Sequence, residues 1–261
     1  MLTKTKIKQS FAAASSSYDS VALLQRTVGE SLLQRVEAIN QGEIIVDLGC
    51  GTGFLTGGLN KQFNGQPERI IAIDIAMPML NTAQHKLGDK PNVVYLCADA
   101  EKLPFQTESI GIVLSNLAFQ WCNNLEDTLS DIKRVLQPNG KLLFTTFGVQ
   151  TLHELKSAWR EVDDYAHVNT FYDEDQIKNF LQQAGFRHVY VEKQIYTSTY
   201  ESVWELMAEL KKLGARTILA GCNKQLTSRS AMQRMICAYQ KHNASGCIPA
   251  TFEVITAIAK V

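Results

Sequence analysis

A glycine-rich turn between a β-branched run and a helical pattern constrains the fold of this chain more than any other segment. Residues 43–47 read Glu-Ile-Ile-Val-Asp, a short β-branched run, and residues 48–53 read Leu-Gly-Cys-Gly-Thr-Gly. Helical spacing follows to about residue 63. Glycines at alternate positions let the backbone turn tightly and approach a ligand, because no Cβ atom intervenes. The spacing differs from the G-x-G-x-x-G of dinucleotide sites and predicts no pyrophosphate cradle. Taken alone, the segment is equally well explained as a turn that binds nothing.

The same alternation of strand and helix patterns repeats along the chain. Strand-like runs occupy residues 43–47, 69–75, 92–98, 110–115, 141–147, 188–200 and 252–261. Helical patterns lie between them, which predicts βαβ units and a doubly wound, mostly parallel α/β sheet of seven strands. The last two strands are expected to form an antiparallel edge pair, interrupted by a helical insertion.

Helical additions are predicted on both sides of this sheet domain. Residues 1–40 carry apolar side chains at helical spacing and are expected to form an N-terminal helical lid, with Tyr18 on the same face as Ile7 and Phe11. The remaining residues, 41–261, are expected to form a single domain. Helical insertions are predicted in that domain at about 150–170 and 201–250.

Polar residues stand where four of the predicted strands end. Asp47 and Asp74 close the first two strands, Asp99-Ala100 follows the third, and Asn116 follows the fourth. Each residue alone is more simply explained as a helix cap or a turn residue. Because the carboxyl ends of parallel strands meet in one crevice, the set together predicts a nucleoside-binding site.

This arrangement resembles the class I S-adenosylmethionine-dependent methyltransferases, whose fold is Rossmann-like. The resemblance rests on Asp47–Gly53, on Asp74 and on Asp99-Ala-Glu-Lys-Leu-Pro-Phe105. It implies that residues 41–261 are the methyltransferase domain and that S-adenosylmethionine is the cofactor. By the same resemblance, Gly49, Gly51, Gly53 and Asp47 lie at the methionine portion, Asp74 binds ribose, and Asp99 and Ala100 bind adenine. Gly111 departs from the family, which often has an acid at that position.

Segments outside the core resemble the malonyl-[acyl-carrier-protein] O-methyltransferases of biotin synthesis. They are 7–25, Ser115-Asn-Leu-Ala-Phe-Gln-Trp-Cys122, 148–159, 167–171 and Glu209-Leu-Lys-Lys-Leu-Gly-Ala215. This resemblance implies methyl transfer to the free carboxylate of a malonyl thioester, with malonyl-acyl carrier protein as the partner. A carboxylate is already ionised at pH 7, so we expect no general base. No histidine or cysteine spacing indicates a metal site.

Several residues outside the strand ends are candidates for contacts with cofactor or substrate, each with a structural alternative. Tyr18 is predicted to position the substrate, or else is a core tyrosine. Gln25 is expected at the cofactor carboxylate, or on a solvated helix face. Asn116 is expected at the cofactor, and Gln120 and Trp121 are expected to border the transfer point, although Trp121 would serve equally as core packing. His167 and Asn169 would line the substrate mouth or act as ordinary loop residues.

Charge decides which partners are plausible. The chain has 26 Lys and Arg against 26 Asp and Glu, which argues against a nucleic-acid coat. Between Leu210 and Phe252, however, there are basic residues and no acid. Lys211, Lys212 and Arg216 are therefore candidates for docking an acidic carrier protein, or else form a solvated face.

The sequence leaves other functions open. A free small acid of the trans-aconitate type is the main alternative acceptor, followed by a quinone or sterol C-methyltransferase. An RNA-modifying enzyme and a regulator without turnover fit less well. Cysteines without metal or disulfide spacing, no apolar signal segment and no uncharged membrane-length stretch lead us to expect a cytoplasmic protein with no membrane partner.

Overall fold

One mixed β-sheet organises the chain. The computed structural model describes residues 4–37, 39, 42–64, 67–215, 227–241 and 246–261. The strands are β1 (Ile44–Leu48), β2 (Arg69–Asp74), β3 (Val93–Cys97), β4 (Ile110–Asn116), β5 (Leu136–Phe147), β6 (Arg187–Tyr200) and β7 (Ile248–Lys260). Their order is β3-β2-β1-β4-β5-β7-β6. The strands from β3 to β5 pair in parallel, and β7 is antiparallel to β5 and β6, which confirms the predicted fold class.

Helices connect the strands and flank them. They are α1 (Lys4–Ala14), α2 (Leu23–Gln34), α3 (Phe54–Gln62), α4 (Met77–Leu87), α5 (Leu125–Val135), α6 (His153–Arg160), α7 (Glu174–Gln183), α8 (Val203–Lys212) and α9 (Arg229–Lys241). Short 3₁₀ turns span Tyr18–Ser20 and Phe119–Trp121. Helices α8 and α9 lie between β6 and β7, the segment in which the sequence predicts an insertion. None of the helices in the described ranges is both long and apolar enough to span a bilayer.

The period of two along β1 explains why helices cover both faces of the sheet. Ile45 packs in a cluster with residues of α2 and α3, whereas its neighbour Val46 packs in a cluster with residues of α5 and α7. Successive side chains of a strand point to opposite faces, so an uninterrupted apolar strand requires a cover on each. Both side chains are fully buried, and burial of one such side chain contributes about 1.5–3 kcal/mol.

A separate apolar cluster forms beyond the parallel strands. Leu155 of α6, Leu206 of α8 and Met235 of α9 are buried together with Phe252 of β7. This cluster supports the segments that extend past the carboxyl edge of the sheet. Its position matters for function because those segments form the wall of a cleft described below.

The N-terminal segment differs from its sequence pattern. The helical spacing is interrupted after Ala14, and Tyr18 lies in a 3₁₀ turn rather than on the helical face of Ile7 and Phe11 as predicted. Serine hydroxyls explain the break: Ser17 Oγ donates to the carbonyl of Ala14 at 3.2 Å, and Ser20 Oγ donates to the carbonyl of Ser17 at 2.7 Å. Such bonds compete with helix continuation.

The departure from the family pattern at Gly111 also has a structural explanation. A Cβ atom at this position would collide with the side chain of Glu43, at the start of β1. Gly111 keeps β4 close to that side chain without affecting the carboxyl edge of the sheet.

Candidate active site

The chain leaving β1 forms the floor of the site. The backbone N–H groups of Gly49 and Cys50 both donate to the carbonyl of Ile73 on β2, each at 2.8 Å. Gly49 has a φ of +79°, and a Cβ atom there would lie 2.5 Å from Cβ of Ala118. Glycine is therefore required at Gly49 by both backbone conformation and close packing.

Gly51 is the most open point of the loop. It has a φ of +52°, and no atom lies within 4 Å of the place where a Cβ would be. The backbone of the loop is therefore exposed here, beside an open space that a side chain at this position would fill. Gly53 follows as the N-cap of α3.

Two clefts border this loop, and a third adjoins them through Gln25 and Trp121. The large cleft, about 710 Å³, lies between α1 and the strand ends and is lined by Lys4, Tyr18, Asp74, Asp99, Ala100, Asn116 and Trp121 among others. The inner cleft, about 420 Å³, is lined by Tyr18, Gln25, Arg26, Asp47, Gly51 and Thr52 among others. The outer cleft, about 580 Å³, is lined by Gln25, Gln120, Trp121, Phe147, His167, Asn169 and Leu213 among others. Every predicted cofactor residue except Gly53 therefore lines the large or the inner cleft.

Asp47 is buried at the end of β1 beside the inner cleft. Its Oδ2 accepts a hydrogen bond from Thr56 Oγ1 at 2.6 Å, whereas Oδ1 has no hydrogen-bond partner among the described residues. Burial raises the pKa of Asp47 to about 6, although the Thr56 hydrogen bond opposes this shift. A buried carboxylate oxygen without a donor is costly in a folded protein. It favours a ligand that brings a cationic donor.

Asp74 holds the glycine loop in place from the end of β2. Its Oδ2 accepts the backbone N–H of Gly51 at 3.0 Å, and its Oδ1 accepts that of Ala76 at 2.8 Å. Burial raises the pKa of Asp74, and the backbone hydrogen bonds oppose the shift. Each oxygen retains a further lone pair for a hydroxyl donor from the large cleft.

Asp99 lies just beyond β3, where Ala100 also lines the large cleft. Asp99 Oδ1 accepts the backbone N–H of Glu101 at 3.0 Å and the Nζ of Lys4 at 2.9 Å. The sequence indicated no link between Lys4 and this acid. Helix α1 thus reaches across the cleft to the third strand end.

The turn after α1 is attached to the glycine loop through Asp19. The Asp19 carboxylate accepts a hydrogen bond from Thr52 Oγ1 at 2.7 Å and pairs with Lys86 Nζ at 2.6 Å. Burial would raise the pKa of Asp19, but the hydrogen bonds from Lys86 and Thr52 outweigh it and lower the pKa. Arg26 donates to the Asp19 carbonyl at 2.8 Å. This network places the adjacent Tyr18 at the junction of the large and inner clefts.

Asn116 connects β4 to helix α2. Its Nδ2 donates to the carbonyl of Gln25 at 2.8 Å, and its Oδ1 accepts from Thr145 Oγ1 at 2.7 Å. The Gln25 side chain lies between the inner and outer clefts, and its Oε1 is buried without a hydrogen bond from the described residues. Asn116 therefore positions Gln25 as well as lining the cleft.

The outer cleft is mostly apolar and contains the predicted substrate residues. Trp121 belongs to both the large and the outer cleft, and its ring meets that of Phe11 edge-on at 5.3 Å. Gln120 Nε2 donates to the carbonyl of Leu117 at 2.6 Å. His167 stacks on Trp159 with ring centroids 3.6 Å apart, and Asn169 is buried beside it.

The predicted docking residues lie at the rim of this cleft. Lys211 and Lys212 are exposed in the last turn of α8, and the next residues, Leu213 and Ala215, line the outer cleft. Arg216 lies outside the described residues. Within the described ranges, no group of three or more His, Cys, Asp or Glu is placed to hold a metal ion.

Sequence reasoning missed four residues at these clefts: Lys4, Asp19, Arg26 and Thr52. Thr52 lies inside the glycine motif, so its position alone could have marked it as a candidate. The other three are in the N-terminal segment: Lys4 and Asp19 contact residues that are far apart in the sequence, and Arg26 contacts Asp19. These residues can be identified as part of the site only once the tertiary structure is known.

Comparison with known proteins supports the resemblance to methyltransferases that the sequence indicates. A family model described as a methyltransferase domain matches residues 46–144. A malonyl-[acyl-carrier protein] O-methyltransferase of Methylococcus capsulatus is 39% identical over 253 residues, which covers 96% of this chain and 91% of that protein. The chain belongs to the malonyl-[acyl-carrier protein] O-methyltransferase family. The resemblance found in the sequence is thereby confirmed.

Other similarities agree with membership of the malonyl-[acyl-carrier protein] O-methyltransferase family. The biotin biosynthesis bifunctional protein BioHC of Saccharophagus degradans is 40% identical over 260 residues, covering 96% of this chain and 45% of that protein, so the chain spans about half of it. The solved structure of phosphoethanolamine N-methyltransferase 2 of Haemonchus contortus, in complex with S-adenosyl-L-methionine, has a TM-score of 0.59. It is 19% identical and covers 95% of this chain and 57% of that chain, a likeness that shows the fold.

The raised pKa of Asp47 predicts a dependence of stability on pH. The folded value of about 6 lies above the ordinary value of about 4, so the folded state loses stability when Asp47 ionises. This cost is absent below about pH 4 and reaches at most about 3 kcal/mol above about pH 6. We expect Asp47→Asn to become more stable relative to the wild type as pH rises from about 4 to 7. Urea unfolding of both proteins at several pH values measures the difference, and a constant difference would contradict the prediction.

Proposed function

We propose that this chain transfers a methyl group from S-adenosylmethionine to the free carboxylate of a malonyl thioester on acyl carrier protein. The ester would start synthesis of the pimeloyl chain of biotin. The observation that carries the proposal is the meeting of two kinds of cleft at Gln25 and Trp121. One side offers carboxylates and bare backbone, and the other offers an apolar channel that opens beside exposed lysines. We infer the identity of the acceptor from the names of the relatives.

The residues at the strand ends fit S-adenosylmethionine. The unpartnered Oδ1 of Asp47 would accept the ammonium group of the methionine portion, and the open cradle at Gly51 leaves room for that portion. Asp74 would bind the ribose hydroxyls and Asp99 the adenine amino group. Arg26 lines the same inner cleft as Asp47, so it is the cation we assign to the cofactor carboxylate. When bound, S-adenosylmethionine supplies a methyl group on a positively charged sulfur.

The outer cleft suits an acceptor that needs no base. A malonyl carboxylate is ionised at neutral pH, so the protein has to orient it and to exclude water from it. The rings of Trp121, Phe147 and Phe171 provide an apolar lining, while Gln25 and Gln120 provide amide groups near the junction. His167 and Asn169 lie farther along the same lining, where they would contact the thioester arm.

Tyr18, which lies where the large and inner clefts meet, is the residue to which we assign positioning of the substrate. Burial raises the pKa of its hydroxyl, and the negative charges of Asp74 and Asp19 raise it further. The hydroxyl therefore stays protonated and can donate a hydrogen bond to a carboxylate. Its place between the large and inner clefts puts that donor near the cofactor as well.

The end of α8 is the docking surface we assign to the carrier. The carbonyl of Lys212 accepts a hydrogen bond from Ser17 Oγ at 3.0 Å, so the last turn of α8 contacts the turn that follows α1. The exposed side chains of Lys211 and Lys212 therefore stand beside the rim of the outer cleft. Positive charge at this place would steer an acidic carrier toward it. The cytoplasmic location expected from the cysteine content stays a prediction.

The acceptor is tested by direct comparison of substrates. Purified protein with labelled S-adenosylmethionine is offered malonyl-acyl carrier protein, malonyl-CoA, free malonate and trans-aconitate. We expect the highest kcat/KM with the malonyl carrier and activity with malonyl-CoA. Faster turnover of either free acid would overturn the carrier substrate and favour a small-acid methyltransferase.

Tyr18→Phe tests the positioning role. Loss of the hydroxyl donor is expected to lower kcat by about tenfold, which corresponds to one hydrogen bond to a charged group. The melting temperature should stay close to that of the wild type, because the ring is retained. Tyr172→Phe is the matched control, since Tyr172 lies against Phe180 and lines none of the three clefts. An unchanged kcat would assign Tyr18 to packing alone.

Charge reversal at α8 tests the docking surface. Lys211→Glu with Lys212→Glu is expected to raise KM for the malonyl carrier by about tenfold and KM for malonyl-CoA by at most about twofold. The reason is that only the carrier extends over the exposed end of α8. Lys61→Glu with Lys90→Glu, at two exposed lysines on α3 and on the loop before β3, makes the same change in net charge and is the control. Equal effects on both substrates would rule out carrier docking at α8.

A further inference from the structure

Lys4, the first residue of α1, makes two ion pairs with residues that follow β3. Its Nζ lies 2.9 Å from Asp99 Oδ1 and 2.6 Å from Glu101 Oε1. The three side chains are between 22% and 34% exposed, so the ion pairs are partly shielded from water. Both carboxylates belong to the segment that follows β3, across the large cleft from α1.

The contact leaves Asp99 able to bind a ligand. The donors from described residues, Lys4 Nζ and the backbone N–H of Glu101, both meet Oδ1. Asp99 Oδ2 is therefore available to an amino group from the large cleft. Lys4 closes the cleft at this end without occupying the oxygen that a purine amino group needs.

Glu101 extends the contact to the acceptor side. Its Oε1 also accepts the backbone N–H of Asn123, just after the turn that carries Trp121. The edge-on contact of Phe11 with Trp121 joins α1 directly to this second segment. Helix α1 is thus fastened both to the third strand end and to the loop that borders the outer cleft.

Apolar contacts of α1 are concentrated on one face, where Ala14 packs with Ala76 and Met79 and Phe11 is partly buried against the same cluster. Of its eleven residues, only Ile7 and Ala14 are buried. Because most side chains of this short helix are at least partly exposed, the helix can open locally, and the ion pairs of Lys4 add to the apolar contacts that keep it closed. Burial alone would lower the pKa of Lys4, but the hydrogen bonds to Asp99 and Glu101 outweigh it and raise the pKa, so the side chain is charged.

We propose that Lys4 is a latch that retains the cofactor. Its ion pairs with Asp99 and Glu101 hold α1 closed over the adenine end of the large cleft and limit the rates at which S-adenosylmethionine enters and S-adenosylhomocysteine leaves. The inference rests on the proposed function, because it takes Asp99 as the adenine-binding residue. It adds to that function a cation that sets the residence time of the nucleoside.

The test measures binding and release of S-adenosylhomocysteine, which needs no acceptor. Calorimetry gives Kd and stopped-flow displacement gives koff for the wild type, Lys4→Met and Lys8→Met. Lys8 is an exposed lysine on the same helix, so its replacement removes the same charge without removing the latch. For Lys4→Met we expect koff to rise by about two- to fivefold, the range of a solvent-accessible ion pair, and Lys8→Met to match the wild type.

Two further measurements separate a latch from a general loss of structure. Glu101→Gln removes one of the two carboxylates and should also raise koff. Lys4→Arg keeps the positive charge and should have a koff close to that of the wild type. Raising the salt concentration should speed release from the wild type and leave release from Lys4→Met nearly unchanged. Amide hydrogen exchange in α1 should be faster in Lys4→Met than in Lys8→Met.

The outcomes distinguish the latch from the proposed function. If the wild type binds S-adenosylhomocysteine but Lys4→Met and Glu101→Gln release it within twofold of the wild-type rate, the latch is wrong and the function stands. A wild-type protein that binds no S-adenosylhomocysteine overturns the proposed function and the latch together. A rise in koff for Lys8→Met equal to that for Lys4→Met would assign the effect to net charge and overturn the latch.

Discussion

The carbonyl oxygen of Ile73 accepts the backbone N–H groups of both Gly49 and Cys50, and the geometry of the site depends on this pair of hydrogen bonds. They exist because β1 and β2 pair in parallel with Leu48 opposite Ile73, so that the chain leaving β1 crosses the end of β2. Asp74, the next residue, then holds the N–H of Gly51. The loop is thus fixed by its neighbouring strand. Binding of a ligand to this loop therefore has a small free-energy cost for ordering the backbone.

Two chemical environments meet beyond this loop, at Gln25 and Trp121. On the side of β1, β2 and β3, the clefts present carboxylates whose oxygens are only partly satisfied, as at Asp47. On the side of β5 and α6, the lining is aromatic and aliphatic, as at Phe147 and Leu155. Trp121 borders both sides. The polar side suits a zwitterionic nucleoside, whereas the apolar side suits an acyl thioester.

The parts of the site that could be predicted are those encoded by short-range patterns. The glycine loop, Asp47 and Asp74 follow from the order of residues at strand ends, because parallel strands bring those ends to one edge whatever the rest of the chain does. The seven strands follow from apolar runs of strand length. Family resemblance then added the acceptor, which lies in no local pattern of the core.

The contacts that could not be predicted join distant parts of the chain. Lys4 is 95 residues from Asp99, and Thr52 is 33 residues from Asp19. No periodicity relates such pairs, since each depends on how the N-terminal segment folds back over the sheet. The break after Ala14 had a local cause in its serines, but apolar spacing alone concealed it. Tyr18 was thus predicted at the site although its secondary structure was wrong.

The chain as a whole has no formal net charge, but charged and apolar groups occupy different parts of the site. In the proposed reaction a cationic sulfonium and an anionic carboxylate become neutral, so the transition state is less charged than the reactants. A polar surrounding would stabilise the reactants more and slow the step, whereas an apolar one removes water from the carboxylate and favours transfer. The apolar lining around Trp121 and Phe147 meets this requirement. The charged groups, Asp47 and Arg26 on the cofactor side and Lys211 at the rim, lie where binding rather than transfer takes place.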